Sequence, residues 1–386
     1  MNISALPVPD ADAIKHSAQL IALIRQEVVD AGGWVSFARY MELALYAPGL
    51  GYYSAGAQKF GVAGDFVTAP EMTPLFGQTL ARQVMAVLTQ TGGSILELGA
   101  GRGKLAAVML EELQLANALP ERYEILEVSA GLRSVQQQYL QSVLAPALYA
   151  RVAWLDSLPE AFTGVVLANE VLDAVPVHLV RKEEAGWQEL GVALNQEGNL
   201  MLASRPLVDA GLVSGIEVLA LPEYYQTETS PAARALVASL AQCLQEGVLL
   251  FIDYGFPRAE YYHPQRHQGT LMCHYRHYAH QDPLLYPGLQ DLTAHVDFSA
   301  VAEAGIGNGL HLLGYCTQAQ FLINCGITEL MSRVPAHDLM RYAPLASAAQ
   351  KLLSPAEMGE LFKVIALGRH VQPLSGFVRG DRSHTL

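Results

Sequence analysis

The stretch that decides the fold of this chain is Ile95-Leu-Glu-Leu-Gly-Ala-Gly-Arg-Gly-Lys-Leu105. Its apolar first half predicts a buried strand that closes on an acid, and its glycines predict a tight turn into a helix. The glycines occupy alternate positions, whereas the dinucleotide-binding fingerprint ends on a glycine where this chain has Lys104. The pattern therefore favours an α/β ligand site other than a NAD or FAD site. The alternative, if only the glycine pattern is considered, is a glycine-rich turn between a strand and a helix that binds no ligand.

Glu97, two residues before the first glycine, favours S-adenosylmethionine (SAM) as the ligand. SAM carries no pyrophosphate, and its methionine zwitterion must lie against bare backbone, from which glycines exclude side chains. We expect Gly99, Gly101 and Gly103 to lie against this part of SAM. Glu97 is then placed to reach the amino group of SAM, directly or through water.

Three further apolar runs end in polar residues, and they predict more strands of the same sheet. They close on Glu127, on Asn169 and Glu170, and on Asp253. Because ligands bind at the carboxyl ends of parallel strands, we expect Glu127 to accept hydrogen bonds from both ribose hydroxyls of SAM. A solvent-facing acid is the alternative for Glu127. Asn169 is expected beside SAM, at the strand end that faces the transferred methyl group.

Composition and charge limit the classes of protein to consider. The chain has 386 residues, of which 51% are hydrophobic and 16% charged, which suits a large core and argues against disorder. The net charge of −13 argues against binding to nucleic acid and is compatible with a basic protein substrate. No uncharged apolar run is long enough to cross a bilayer, so we expect no membrane insertion. Residues 1–12 lack the patterns of signal and transit peptides, from which we expect a cytoplasmic protein.

The cysteines and histidines form no recognised metal or redox motif. The four cysteines, at 243, 273, 316 and 325, lack the CxxC spacing, and we expect them to be small buried residues. The twelve histidines are concentrated between positions 263 and 311 without HExxH or another strong ligand spacing. We therefore expect no metal site.

The order of predicted elements divides the chain into four segments. Residues 1–90 are expected to form an N-terminal helical region with an irregular loop that covers cofactor or substrate. Residues 91–185 alternate strand and helix, which predicts the first half of a SAM-binding, Rossmann-like core with helices on both faces of the sheet. Residues 186–247 are expected to insert antiparallel strands and helices, with a hairpin turn at 197–199. Residues 248–386 complete the core and carry a second insertion at 255–297.

Six stretches, in the right order along the chain, resemble the MidA-type family of SAM-dependent methyltransferases. They are YAPGLGYY (46–53), GDFVTAPEMTPLFG (64–77), ILELGAGRG (95–103), NEVLDAVP (169–176), IDYG (252–255) and DLTAHVDF (291–298). The second and the last are much more specific than the glycine pattern. The resemblance spans most of the chain, although residues 187–214 carry no family motif.

The resemblance implies both a fold and an activity. The fold is α/β: a class I SAM-methyltransferase, Rossmann-like doubly wound sheet with an N-terminal helical extension and inserted substrate-binding elements. The activity is SAM-dependent arginine methylation of a protein, and the mitochondrial relatives imply symmetric dimethylation of a respiratory complex I subunit. Gly64, Asp65 and Thr68 are implied to contact the cofactor. Methylation of another substrate and a SAM-binding assembly chaperone without turnover are the alternatives, and a homodimer is one candidate for the oligomeric state.

Arginine is a difficult nucleophile, because its guanidinium group is protonated and delocalised. Carboxylates that bind the group bidentately can orient it, and Glu170 and Asp173, just after a strand, are the candidates. The alternative is that Glu170 caps the following helix and Asp173 lies in the first turn of that helix. Asn169 is the other polar candidate, for an amine nucleophile.

His295 and Asp297 are a second candidate pair. Residues two apart share a face of a strand, so the pair is placed to position a substrate or to relay a proton. The alternative is that Asp297 caps a helix and His295 makes structural hydrogen bonds.

Overall fold

The structure is a computed structural model, and it describes residues 6–55 and 68–386. The strands of these residues are β1 (Trp34–Ser36), β2 (Ser94–Leu98), β3 (Tyr123–Leu126), β4 (Val152–Leu155), β5 (Phe162–Asn169), β6 (His178–Glu183), β7 (Gly186–Leu194), β8 (Leu200–Pro206), β9 (Gln226–Thr229), β10 (Leu244–Phe256), β11 (Met272–Tyr275), β12 (Tyr278–His280), β13 (Asp291–Thr293), β14 (Val296–Asp297), β15 (His311–Thr317) and β16 (Phe362–Arg369). The helices are α1 (Ala11–Asp30), α2 (Phe37–Tyr46), α3 (Ala69–Met72), α4 (Pro74–Thr91), α5 (Lys104–Leu115), α6 (Ala130–Val143), α7 (Pro146–Tyr149), α8 (Pro231–Cys243), α9 (Arg258–Tyr261), α10 (Phe298–Gly307), α11 (Gln318–Asn324), α12 (Ile327–Met331), α13 (Leu339–Leu353) and α14 (Met358–Leu361).

The chain forms two compact units, each built from three segments. The first unit contains Met1–Phe66, Asp173–Arg234 and Arg258–His295, and the second contains Val67–Leu172, Ala235–Pro257 and Val296–Leu386. This division cuts the chain at different places from the four segments expected from the sequence. The reason is that the N-terminal helices and both insertions associate with one another in the first unit.

The second unit contains a doubly wound sheet of eight strands. Its order is β15-β16-β10-β5-β2-β3-β4, with β14 beside β10. The strands β4, β3, β2, β5 and β10 run parallel to one another, whereas β16 is antiparallel to both β10 and β15. From β2 the chain extends the sheet on one side through β3 and β4, and it then returns to the other side through β5 and β10. The strand order therefore reverses between β2 and β5, which is where ligands bind in this class of sheet.

The helices of the second unit bury apolar faces against this sheet, as the periodicity predicted. Helix α4 begins at Pro74 after Thr73, whose hydroxyl accepts a hydrogen bond from the Leu75 amide at 3.3 Å, and it ends at Gly92, where φ is 66°. Its buried side chains, together with those of α5, belong to one hydrophobic core with the central strands. Cysteines 243, 273, 316 and 325 are all unpaired and buried, which confirms their expected packing role.

The first unit is built around antiparallel strands, as expected for the inserted segments. One sheet has the order β1-β7-β6-β9 with β8 paired to β7, and a smaller sheet has the order β12-β11-β13. The predicted hairpin turn joins β7 to β8: the side chain of Asn195 accepts hydrogen bonds from the amides of Glu197 and Asn199 at 3.0 and 2.8 Å, and Gly198 has a φ of 80°. No helix within the described residues is both long and apolar enough to span a membrane.

A buried acid of the first unit, Glu228, holds the backbone of residues 269–271 (Gly-Thr-Leu) in place. Its buried carboxylate accepts hydrogen bonds from the amides of Thr270 and Leu271 and from the Thr270 hydroxyl, at 2.9–3.1 Å. Gly269 has a φ of 77°, and a Cβ atom there would lie 2.1 Å from a carboxylate oxygen of Glu228. Only glycine fits this position, because any side chain would displace the buried acid.

We expect Gly269→Ala to lower the free energy of unfolding more than Gly198→Ala does. Both glycines have a left-handed φ, but a Cβ atom at Gly198 would meet nothing within 4 Å. The control should therefore lose only the conformational preference, about 1 kcal/mol, whereas the clash at Gly269 adds the cost of displacing Glu228. Urea denaturation of both variants measures the difference. Equal losses would contradict the organising role of Glu228.

Candidate active site

The turn after β2 is held open by glycines in the left-handed region. The φ angles are 61° at Gly99, 52° at Gly101 and 87° at Gly103. A Cβ atom at Gly99 would lie 3.2 Å from the Val171 side chain, and one at Gly103 would lie 3.2 Å from Leu140. At Gly101 it would meet no other described residue within 4 Å. Packing therefore restricts Gly99 and Gly103, whereas Gly101 presents bare backbone to open space of the kind that a ligand requires.

Glu97 lies buried in β2, with 3% of its surface exposed. Its carboxylate accepts a hydrogen bond from the Tyr123 hydroxyl at 2.8 Å. Burial raises the pKa of Glu97 to about 7, the charge of Glu127 acts in the same direction, and the bond from Tyr123 opposes the rise. Burial thus disfavours the charged form of Glu97, and a cationic partner would stabilise that form.

Glu127 follows β3 directly, and both of its carboxylate oxygens accept hydrogen bonds. One receives the Ser129 amide at 2.9 Å and the other receives the side-chain amide of Gln136 at 2.9 Å. Burial raises the pKa of Glu127, and these hydrogen bonds partly offset the rise. The carboxylate thus has a fixed orientation, unlike the solvent-facing acid that was its alternative.

Gln136 of α6 is a residue that the sequence interpretation missed. It is fully buried. Its amide nitrogen donates to the carbonyl oxygen of Gly101 at 3.0 Å as well as to Glu127, and its amide oxygen accepts the indole N–H of Trp154 at 3.0 Å. A signal existed, because Gln136 occupies the middle of the Leu132–Gln136–Leu140 stripe, where the helical period predicts an apolar residue.

Asp253, at the end of β10, determines the backbone after β5. Its carboxylate accepts hydrogen bonds from the amides of Val171 at 3.2 Å and Leu172 at 2.9 Å, and its other oxygen accepts the Tyr254 amide at 2.9 Å. Glu170 has a φ of 54°, which is unfavourable for a side chain of this kind. Asp253 thus receives the first amides after the turn, and Asp173 lies in the first turn of the short 3-10 helix Leu172–Ala174, as the capping alternative expected for it.

Asn169 and Glu170 form the polar end of β5. The amide nitrogen of Asn169 donates to the Glu170 carboxylate at 3.0 Å. The amide oxygen of Asn169 is buried and has no hydrogen-bond partner among the described residues. A buried acceptor of this kind costs free energy unless a donor reaches it, and a bound ligand is a source of that donor.

The remaining predicted site residues are distributed over both units. Asp173 belongs to the first unit, where it is buried and its carbonyl oxygen accepts the Ala294 amide at 3.0 Å. His295, also in the first unit, lies between strands, and its amide donates to the Thr270 hydroxyl at 3.0 Å. Asp297 belongs to the second unit and caps α10, accepting the Ala300 amide at 3.1 Å, as its structural alternative predicted.

The N-terminal motif is described only in part. Gly64 and Asp65 lie outside the described residues. Thr68 precedes α3, and its carbonyl oxygen accepts the Glu71 amide at 3.0 Å. The Glu71 carboxylate pairs with Lys104, the first residue of α5, at 2.7 Å. Because a cation at a helix N-terminus opposes the helix dipole, Glu71 offsets an unfavourable charge beside the glycine turn.

The backbone at Glu170 gives a prediction about stability. Replacing Glu170 with glycine should raise the free energy of unfolding by up to about 1 kcal/mol, because glycine adopts a left-handed φ without the Cβ penalty. Glu170→Gln keeps the backbone penalty and serves as the control in urea denaturation. A less stable glycine variant would show that the local contacts of Glu170, and not Asp253, hold this turn.

The chain is similar to curated protein arginine methyltransferases. It is 32% identical over 372 residues to "Protein arginine methyltransferase NDUFAF7, mitochondrial" of Danio rerio, covering 87% of this chain and 84% of the relative. The Homo sapiens protein of the same name is 29% identical over 385 residues, with 90% and 83% covered. These names contradict the cytoplasmic location that we expected. The expectation depended on the absence of a targeting pattern in residues 1–12, and such an absence does not determine a location.

A solved structure matches nearly the whole chain. It is that of a "likely methyl transferase" from Burkholderia thailandensis bound to S-adenosyl-homocysteine, with 53% identity, a TM-score of 0.96, and 99% of this chain and 100% of that chain covered. This likeness confirms the class I SAM-methyltransferase fold and SAM as the cofactor.

Residues 79–316 match the family described as "Putative S-adenosyl-L-methionine-dependent methyltransferase". The matched region contains the glycine turn, the end of β5 and the IDYG and DLTAHVDF stretches, and it covers more than half of the chain. The chain therefore belongs to the MidA-type family of SAM-dependent methyltransferases.

Proposed function

We propose that this protein transfers the methyl group of SAM to arginine side chains of a protein substrate. The observation that carries the proposal is the position of Glu170: its carboxylate stands at the end of β5 on a left-handed backbone, while Asp253 makes the helix-capping contacts. A residue held on a strained backbone at the ligand-binding edge of the sheet is a candidate for a functional role. The names of the curated relatives support arginine as the acceptor.

The cofactor side of the proposal uses the residues at the ends of β2, β3 and β5. Gly101 offers backbone that a side chain does not cover, and Glu97 is a buried carboxyl group suited to the ammonium group of SAM. Glu127, with its carboxylate fixed by Ser129 and Gln136, is suited to the two ribose hydroxyls. Asn169 offers a buried acceptor that has no partner in the described part of the chain. The proposed cofactor contacts also include Gly99 and Gly103 of the glycine turn, and Thr68, which precedes α3.

The acceptor side of the proposal depends on charge. When bound, SAM would supply an electrophilic methyl group: an arginine nitrogen would form the N–C bond as the S–C bond breaks, S-adenosylhomocysteine would leave, and the arginine proton would pass to solvent. Glu170 binds the guanidinium group and holds the attacking nitrogen in line, which lowers the barrier through orientation. The net charge of −13 favours the approach of a basic protein segment. We propose a respiratory complex I subunit or a similar protein as the substrate, symmetric dimethylarginine as the product and a homodimer as one assembly to test.

The raised pKa of Glu97 predicts a pH-dependent affinity for the cofactor product. Below about pH 7 the carboxyl group is increasingly protonated, and the neutral form cannot pair with the ammonium group of S-adenosylhomocysteine. Affinity should therefore fall roughly tenfold from pH 8 to pH 6. Isothermal titration calorimetry at both pH values measures this change.

Two controls isolate Glu97 from Glu127, whose pKa burial also raises. The first is 5′-methylthioadenosine, which has the ribose but no amino group, so its affinity should respond to Glu127 alone. The second is Glu97→Gln, which retains an acceptor for Tyr123 and should remove the difference between the two ligands. The same pH response for both ligands in the unaltered protein would rule out Glu97 as the partner of the ammonium group.

Glu170→Gln should reduce methyl transfer about 100-fold or more while affinity for SAM stays within about twofold. The substitution keeps size and hydrogen bonding but removes the charge that binds a guanidinium group. Glu160→Gln, which removes the same charge at an exposed position, is the matched control. Transfer of labelled methyl groups to a lysate, followed by mass spectrometry of the labelled protein, gives both the rate and the modified residue.

The same assay distinguishes the alternative functions. A fully active Glu170→Gln variant, or label on a residue other than arginine, would assign the protein to another acceptor, for which Asn169 is the candidate polar group. Binding of SAM without any transfer, in the presence of its natural partners, would favour an assembly chaperone.

A further inference from the structure

We infer that Gln136 is a positioning residue of the cofactor site: it holds the Glu127 carboxylate in the geometry that binds the ribose of SAM. The inference depends on the proposed role of Glu127 at the ribose. Gln136 does not itself contact the ligand in this proposal, and its effect is exerted through the groups that it binds.

The hydrogen bonds of Gln136 join three consecutive strands of the sheet at their carboxyl ends. The carbonyl oxygen of Gly101 belongs to the turn after β2, Glu127 follows β3, and Trp154 lies in β4. Gln136 donates to the first two at 3.0 and 2.9 Å and accepts from the third at 3.0 Å. These partners come from positions 101, 127 and 154 of the sequence, so one buried side chain fixes three separate segments.

A primary amide is the group that these contacts require. Two donors must reach two acceptors, the Gly101 carbonyl and the Glu127 carboxylate. An acceptor must also meet the indole N–H of Trp154. Only the side-chain amide of Asn or Gln carries two donors and an acceptor on one planar group. Burial of an amide is costly unless its groups are paired, and here both hydrogens and the oxygen are used. The placement of Gln136 among the leucines of α6 is therefore explained by its partners.

The orientation of Glu127 follows from this arrangement. Ser129 binds one carboxylate oxygen and Gln136 the other, which fixes the plane of the group. Each oxygen keeps a lone pair in that plane for a further donor, so two neighbouring ribose hydroxyls meet two prepared acceptors. Without Gln136 the carboxylate loses its side-chain donor, and the carbonyl of Gly101 loses a donor as well.

The test is a double-mutant cycle between Gln136 and Glu127, read by calorimetric titration of the full chain with S-adenosylhomocysteine. Gln136→Met and Glu127→Ala should each weaken binding roughly tenfold or more. If Gln136 acts through Glu127, the double variant should bind within about twofold of Glu127→Ala alone. A purely structural role would instead give multiplied losses.

Gln318→Met is the matched control for the loss of a buried glutamine. Gln318 is also fully buried in the second unit, and its side chain donates to the Leu352 carbonyl at 3.1 Å, outside the predicted site. We expect this variant to bind the ligand as the unaltered protein does. If Gln136→Met does not fold, Gln136→Glu replaces it: the shape and the acceptor for Trp154 remain, but both donors are lost.

The outcomes separate this inference from the proposed function. Tight binding by Glu127→Ala would overturn the assignment of Glu127 to the ribose, and with it the basis of the inference. Weak binding by Glu127→Ala with unchanged binding by Gln136→Met would overturn the inference alone. Independent, multiplied losses in the double variant would also overturn it, and a double variant no weaker than Glu127→Ala supports it.

Discussion

The register of the three central parallel strands is the constraint on which the site depends. Ser94 of β2 pairs with Gly164 of β5, which pairs with Gly247 of β10. A Cβ atom at Gly164 would lie 2.0 Å from the Ser94 carbonyl oxygen, and one at Gly247 would lie 1.8 Å from that of Gly164. Near the start of these strands the backbones are therefore too close for a side chain between them. A register slip of one residue would place a Cβ atom where only glycine fits. Because such a slip also reverses the face of every side chain, the same contacts keep Asp253 directed at the amides after Glu170.

The polar groups of the site divide into those suited to a ligand and those that hold them in place. Asp253 supplies an acceptor to the amides of Val171 and Leu172 in the turn after β5. Gln136 supplies donors to Glu127, and Tyr123 supplies one to Glu97. Each supporting residue lies on a strand or helix of the core. A rigid element therefore fixes the orientation of each carboxylate, and this is the condition for strong electrostatic interaction in a buried site.

The sequence predicted the sheet and the strand ends because those features depend on local patterns. Apolar runs that close on polar residues placed Glu97, Glu127 and Asn169 at one edge, and the structure brings β2, β3 and β5 together as neighbours. The supporting contacts were not predictable in the same way. Gln136 reaches partners from three separate segments. The left-handed backbone at Glu170 depends on Asp253, which lies 83 positions later in the sequence. The grouping of the N-terminal helices with both insertions was missed for the same reason, since it results from long-range packing and not from periodicity.

The three-segment construction of the first unit also affects the order in which the protein can fold during synthesis. The hydroxyl of Tyr40 in α2 donates to the carbonyl oxygen of Pro283 at 2.6 Å, across 243 positions of the chain. At roughly 5–20 residues per second, a ribosome needs about 12–50 s to make the intervening chain. Through that interval the buried faces of α1 and α2, with Leu20, Ile24 and Phe37, lack part of their final packing. The nascent chain thus exposes apolar helix faces early and completes their packing only after the later segments of the first unit have been made.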